Sequence, residues 1–266
     1  MSRISEKFDE LKARGEKALI PYIMAGDPDI GATKKLIVEI EKSGGDIIEL
    51  GVPFSDPLAD GPTIQRAAIR ALANKVSLRQ VISLVRDARR ETQVPIILML
   101  YYNLILKYGE EKFVKDAVSA GVDGVIVPDL PPDEAAGLVA SARKFGLDTV
   151  FLLAPTSDAA RIKLVGGASE GFIYYVSLTG VTGARRELDA GIEASVRKIK
   201  KSAKKPVCVG FGISNAEQAA KVAAWADGVI VGSALVGVME KAGASAAVKE
   251  AGRFVRSLKE GIAAHP

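Results

Sequence analysis

The sequence predicts an α/β fold, a single (βα)8 TIM barrel with an extra N-terminal helix, in which residues 1–266 form one domain. Three observations predict it. Eight short apolar runs rich in Ile, Val and Leu recur along the whole chain, at residues 19–24, 47–50, 96–100, 124–127, 149–153, 172–176, 207–209 and 228–231. Segments with a helical hydrophobic period lie between them. No Pro/Ser/Gly-rich linker divides the series. Several runs lack polar alternation, as strands buried on both faces of a parallel sheet do. Eight strand–helix units suit a closed barrel better than an open, doubly wound sheet.

The elements follow in order. Residues 2–14 form an amphipathic helix with Ile4, Phe8 and Leu11 on one face, able either to plug the bottom of the barrel or to dock on its surface. After the first run, residues 34–42 (KKLIVEIEK) have a helical period. So do residues 77–90, where Leu78, Val81, Ile82 and Val85 share a stripe, and segments 134–145, 193–200 and 216–224. Asp29, Ser77, Ser157 and Asn215 are expected helix N-caps. GVDGVIV at 121–127 and WADGVIV at 225–231 each read as a helix end, an Asp-Gly turn and a strand, which suggests a repeated β-α unit.

Composition narrows the function. Apolar residues make up 48% and charged residues 26%, the balance of a globular chain with a sizeable core. The net charge of +4 comes from scattered cations, and the short pairs Arg89-Arg90, Arg185-Arg186, Lys200-Lys201 and Lys204-Lys205 read as solvated surface. A nucleic-acid footprint would need a longer basic stripe with aromatics interleaved. Residues 1–17 lack a signal-peptide core, and the apolar stretch 96–106 is too short to span a bilayer, so a cytoplasmic location without membrane contact is expected. One cysteine and one histidine, His265 beside the C-terminus, argue against a disulfide, a metal site and a His general base. No lysine falls in an apolar run, which argues against a Schiff-base aldolase. Cys208 reads as a small core residue.

Barrels of this kind do their chemistry at the carboxyl ends of the strands. Glu49 lies inside the second run near that end; desolvation there would raise its pKa and prepare it to deliver a proton, although a rim glutamate in an ordinary salt bridge also fits. Asp60 ends a Pro/Gly-studded loop able to fold over the mouth, or it caps the following helix. Glycine-rich turns follow the last two runs, Gly210-Phe211-Gly212 and Gly232-Ser233, where backbone N–H groups can approach a phosphate. The segment 174–189 has the length and small residues of a lid. Together these features suggest carboxylate acid–base chemistry on a phosphorylated substrate.

ELGVPFSDPLADGPTIQ at 49–65, YYVSLTGVTGAR at 174–185, VGFGIS at 209–214, VGSALV at 231–236, PYIMAGDPD at 21–29 and VPDLPPDE at 127–134 resemble the alpha subunit family of tryptophan synthase, in register over nearly the whole chain. The resemblance implies a lyase that cleaves indole-3-glycerol phosphate by a retro-aldol step into indole and glyceraldehyde 3-phosphate. It implies Glu49 as the acid–base, Asp60 as the carboxylate on the indole N–H and Tyr174 beside the glyceryl group. Thr182 would bond the Asp60 loop on closure. Gly183, Gly212, Gly232 and Ser233 would hold phosphate with Phe211 beside them, and Tyr22, Met99, Ile126 and Leu152 would wall the indole pocket, where core packing alone is a comparable reading. Tyr22 stands where the family leads us to expect Phe, and Pro128 where a smaller residue is expected. No metal or cofactor is implied in this chain. Pyridoxal phosphate belongs to the beta subunit, which would dock near Pro53, Asp56 and Pro131 in an alpha2-beta2 complex and receive indole. Another phosphate-binding barrel, such as a sugar-phosphate isomerase, and a scaffold that only activates a partner are the alternative readings.

Overall fold

The computed structural model describes residues 2–176, 190–210 and 212–264. Helix α1 (Arg3–Ala13) precedes β1 (Ala18–Met24), α2 (Ile30–Lys42), β2 (Ile48–Gly51), α3 (Pro62–Ala73), α4 (Leu78–Ala88) and β3 (Ile96–Met99). Then come α5 (Tyr102–Tyr108), α6 (Glu110–Ala120), β4 (Gly124–Ile126), α7 (Ala136–Phe145), β5 (Asp148–Val150), β6 (Leu152–Leu153) and α8 (Ala159–Ala168). The chain ends with β7 (Ile173–Val176), α9 (Ala190–Ser202), β8 (Val207–Gly210), α10 (Ala216–Ala223), β9 (Gly228–Val231), α11 (Ser233–Ala242) and α12 (Ala247–Ala263).

All strand pairs are parallel, in the order β5-β4-β3-β2-β1-β9-β8-β7-β6. The two ends of that order, β5 and β6, are neighbours in the chain and are parted only by Phe151. Its carbonyl accepts the Tyr174 N–H at 3.1 Å, so the nine pieces form a nearly closed barrel. The run at 149–153 is thus two short strands, because one half pairs with β4 and the other with β7.

Alternation along each strand sorts the side chains. Leu19, Ile23, Ile48, Leu50, Ile96 and Leu98 face outward into the core shared with the helices. Ala18, Ile20, Ile47, Ile97, Ile126, Val150, Phe172, Cys208 and Ile230 fill the barrel interior. Ile4, Phe8 and Leu11 of α1 join that interior group, with Phe8 and Phe172 ring centroids 5.8 Å apart, so the N-terminal helix plugs the bottom rather than docking on the surface. Ser2 caps α1 by accepting the Ser5 N–H and donates to Asp148 at 2.6 Å, at the amino end of β5.

Aspartates just before three of the strands have a physical role at the same end, two of them in the repeated Asp-Gly turns. Asp46, Asp123 and Asp227, just before β2, β4 and β9, accept the backbone N–H groups of Leu19, Ile96 and Val207 at 2.8, 2.7 and 2.9 Å. Each carboxylate ties its own strand to a neighbouring one, and each carries a cation: Lys259 at 2.8 Å, Arg89 at 2.6 Å and Lys200 at 2.7 Å, respectively.

Two expectations are corrected. Arg89 is not solvated surface: its guanidinium donates to Val94 O, Gly121 O and Asp123, because three acceptors converge where α4 meets the start of β3. The N-cap of α8 is Asp158, which accepts the Arg161 N–H at 2.7 Å, and not Ser157. Ser157 Oγ is engaged one turn earlier, accepting the Ala154 N–H at 3.0 Å. Asp29, Ser77 and Asn215 cap α2, α4 and α10 as expected.

Candidate active site

Outward Ile48 and Leu50 force Glu49 inward, toward the mouth at the carboxyl end of the barrel. It is 1% exposed, makes no ion pair among the described residues, and its Oε2 has no hydrogen-bond partner there. The salt-bridge reading therefore fails. Burial, with Asp60 adding repulsion, pushes its pKa to about 8, so the side chain carries a proton at neutral pH.

Asp60 sits on the long loop between β2 and α3. The loop keeps pairing for one residue, Val52 N–H to Met99 O at 2.9 Å, and then turns, with Asp60 N–H on Pro57 O at 3.1 Å. Gly61 caps α3 and Pro62 opens it, so the Asp60 carboxylate is not spent as a helix cap. Burial raises its pKa to about 6, while a hydrogen bond from Tyr101 pulls it down. Tyr101 is the residue that sequence reading missed. Its hydroxyl accepts the Ala59 N–H at 2.9 Å as well as donating to Asp60, and its ring stacks on Phe54 at 5.2 Å. The signal was present in Tyr101-Tyr102, two aromatics directly after the third apolar run, at the end where chemistry belongs.

The other inward positions complete a ring. Tyr22 pairs with Glu49 in the β1–β2 register, and Tyr174 lies on β7. Room for these rings comes from glycine: a Cβ on Gly51 would strike the Tyr22 hydroxyl, and one on Gly210 would strike that of Tyr174. Burial pushes both phenols up, with Asp60 and then Glu49 adding to it at Tyr22 and Glu49 foremost among the charges at Tyr174, so both remain protonated. Met99, Ile126 and Leu152 add apolar side chains from β3, β4 and β6. Ile64 and Ala68 of α3 and Val236 of α11 pack with Tyr22 and Met24.

At the ends of β8 and β9 the backbone is bare. Gly212 has φ +59° and nothing within 4 Å of an added Cβ, a conformation that favours glycine. Gly232 begins α11 with no side-chain cap, leaving the first N–H groups of Ser233 and its successors free for an anion. Thr182, Gly183 and Phe211 lie outside the described residues. The geometry thus brings together Tyr22, Glu49, Asp60, Met99, Ile126, Leu152 and Tyr174 around one mouth, with two bare glycine turns at the ends of adjacent strands. Among the described residues no group of acidic, His or Cys side chains could hold a metal ion, and no helix is long and apolar enough to cross a membrane.

The family model described as tryptophan synthase alpha chain matches residues 8–263. The chain is 54% identical over 264 residues to the tryptophan synthase alpha chain of Geotalea uraniireducens (strain Rf4), covering 99% of both, and 52% identical over 262 residues to that of Geobacter sp. (strain M21), covering 98% of both. Among solved structures it resembles tryptophan synthase subunit alpha from Legionella pneumophila str. Paris, with a TM-score of 0.93 at 41% identity over 99% of each chain. A chain in the structure of Mycobacterium tuberculosis tryptophan synthase matches with a TM-score of 0.91 at 39% identity over 98% of each chain. With a match this long in sequence and this close in fold, the chain belongs to the tryptophan synthase alpha chain family.

Proposed function

We propose that Glu49 and Asp60 carry the lyase reaction of this family in this chain, the retro-aldol cleavage of indole-3-glycerol phosphate to indole and glyceraldehyde 3-phosphate. The observation that carries the assignment is Glu49: a buried, protonated carboxyl group with an unpartnered oxygen in the barrel mouth. Glu49 gives its proton to indole C3, which converts the leaving carbon from a poor carbanion into a neutral indole. Asp60, ionised, accepts a hydrogen bond from the indole N–H and stabilises the positive indolenine. The C–C bond then breaks, its electron pair returns to the ring, and the carboxylate of Glu49 takes the proton of the glyceryl hydroxyl as that oxygen becomes the aldehyde. The proton count closes on Glu49 itself, so the step draws on no cofactor.

In this reading Tyr174 lies beside the glyceryl group, and the backbone at Gly212, Gly232 and Ser233 holds phosphate, joined by Gly183 and Phe211. Tyr22, Met99, Ile126 and Leu152 wall the indole, and Thr182 closes on Asp60. A beta subunit that carries the pyridoxal phosphate would dock on the mouth beside Pro53, Asp56 and Pro131, in an alpha2-beta2 assembly, and take the indole. Leu58 on the same loop is 94% exposed, an apolar side chain that supports such a contact. Cytoplasmic residence suits a biosynthetic enzyme with such a partner. The test is indole release by Glu49→Gln, which keeps shape but not proton transfer. A loss of about 10²–10⁴-fold in kcat supports the assignment, and near wild-type turnover overturns it.

A further inference from the structure

Tyr22 carries a polar group that the reaction as described leaves unused. The residue is 5% exposed, its hydroxyl makes no hydrogen bond among the described residues, and that oxygen is not one of the fully buried unpartnered atoms, so it opens on the mouth. The base of the ring packs beside Gly232, where an added Cβ would stand 3.5 Å from Tyr22 Cβ, and the hydroxyl reaches across to Gly51 on β2, one inward position above Glu49. A hydroxyl open to the mouth can bond a ligand that fills it, and a ligand that covers it without offering an acceptor leaves it buried and unpaired, which is costly.

The side chain runs from the turn assigned to phosphate to the strand that carries Glu49. A substrate held at the first and cleaved at the second must lay its three-carbon chain along the same line. Backbone N–H groups satisfy its phosphate and Asp60 its indole N–H, which leaves the glyceryl hydroxyls as the polar groups on that line. We propose that the Tyr22 hydroxyl is a specificity-determining contact that donates a hydrogen bond to a glyceryl hydroxyl oxygen of the substrate. The proposal rests on the cleavage reaction described above. As acceptor, that substrate oxygen keeps its own proton free for transfer to Glu49. Burial and the two carboxylates keep the phenol protonated, so it is a donor throughout the working pH range.

The experiment compares wild-type protein with Tyr22→Phe, which removes one oxygen. Three quantities are read: kcat/KM for indole-3-glycerol phosphate, and calorimetric Kd values for glycerol 3-phosphate and for indole-3-propyl phosphate, which lacks the hydroxyls. The expected result is about a three- to tenfold loss with the two hydroxyl-bearing ligands, the range of one neutral hydrogen bond. The propyl analogue should bind unchanged or more tightly. Equal changes for all three ligands, or none, would overturn the proposal. Absence of turnover in the wild-type protein would instead strike the cleavage reading, while the two Kd values would still report on Tyr22.

Discussion

The carboxyl group of Glu49 lies in the field of Asp60, and the two titrate apart, at about 8 and about 6. Deep burial inside the barrel sets the higher value, and partial burial with a phenol donor sets the lower. The proposed chemistry needs Glu49 protonated and Asp60 ionised, and both conditions hold only between those values. A bell-shaped kcat/KM profile should follow, falling below about pH 6 and above about pH 8. Stopped-flow indole release across pH 5–9 checks it (roughly the span in which both groups change charge). A flat profile would mean that neither ionisation governs the step.

Tyr101→Phe should move the acid limb upward, because the donor that favours the ionised form of Asp60 is removed while its burial stays. The same change frees the Ala59 N–H, so the loop loses one of its ties. At pH 7 kcat is expected to fall about three- to tenfold with a smaller change in KM, the effect of one misplaced hydrogen-bonded group. A lowered kcat with an unmoved acid limb would show that Tyr101 only holds the loop.

Glu49 also bears on stability, with a definite sign. Its pKa is about 8 in the folded chain against 4.5 for an unperturbed glutamate, so the folded state holds the proton more tightly. The difference costs nothing below about pH 4.5, grows as pH rises, and is complete above about pH 8. Glu49→Gln cannot ionise and should therefore be more stable than wild type at pH 8.5 by on the order of a few kcal/mol, and nearly equal to it at pH 4.5. Thermal melts of both proteins across that range test it. A Tm gap independent of pH would place the Glu49 carboxyl in a wetter environment than the structure shows.

Gly232→Ala tests the phosphate turn without disturbing the fold. The new Cβ would meet only Tyr22, at 3.5 Å and beyond, which is ordinary contact distance. A phosphate oxygen drawn to the free N–H groups of α11 would occupy the same space. Calorimetry should show glycerol 3-phosphate binding weakened by about tenfold or more, with Tm changed little. Unchanged affinity would move the phosphate to another turn.

Much of this was legible because the barrel imposes a period of two on its strands. Once residues 47–50 are a strand with apolar Ile48 and Leu50 outside, Glu49 has to point inward, and the same alternation places Tyr22, Met99, Ile126 and Tyr174. What escaped depends on contacts that no period encodes. Tyr101 lies just past β3, and its role arises from the loop between β2 and α3 folding back onto it. Arg89 read as surface because its acceptors, Val94 O, Gly121 O and Asp123, converge only in three dimensions. The α8 cap was misplaced by one residue because Ser157 and Asp158 both suit the position, and Ser157 is claimed by the preceding turn.

The three aspartates at the bottom of the barrel lead to a ranking. Asp123, Asp46 and Asp227 each accept a strand N–H and hold a cation, but their side chains are 4%, 10% and 26% exposed. Removing a carboxylate leaves the N–H and the cation without it, and the penalty grows with burial. Arg89, itself 11% exposed, has no easy route to water, and Arg3 loses the same partner at 2.8 Å. Asp123→Ala should cost most, about 3–5 kcal/mol, the range for breaking a buried charged pair. Asp227→Ala should cost least, about 1 kcal/mol, since Lys200 turns into solvent. Asp46→Ala should fall between them, because burial raises the pKa of Asp46 against the pull of Lys259 and offsets part of what the pair contributes. Urea unfolding at pH 7 measures all three. An Asp227→Ala penalty equal to that of Asp123→Ala would mean that the strand N–H bond, and not the buried ion pair, dominates these turns.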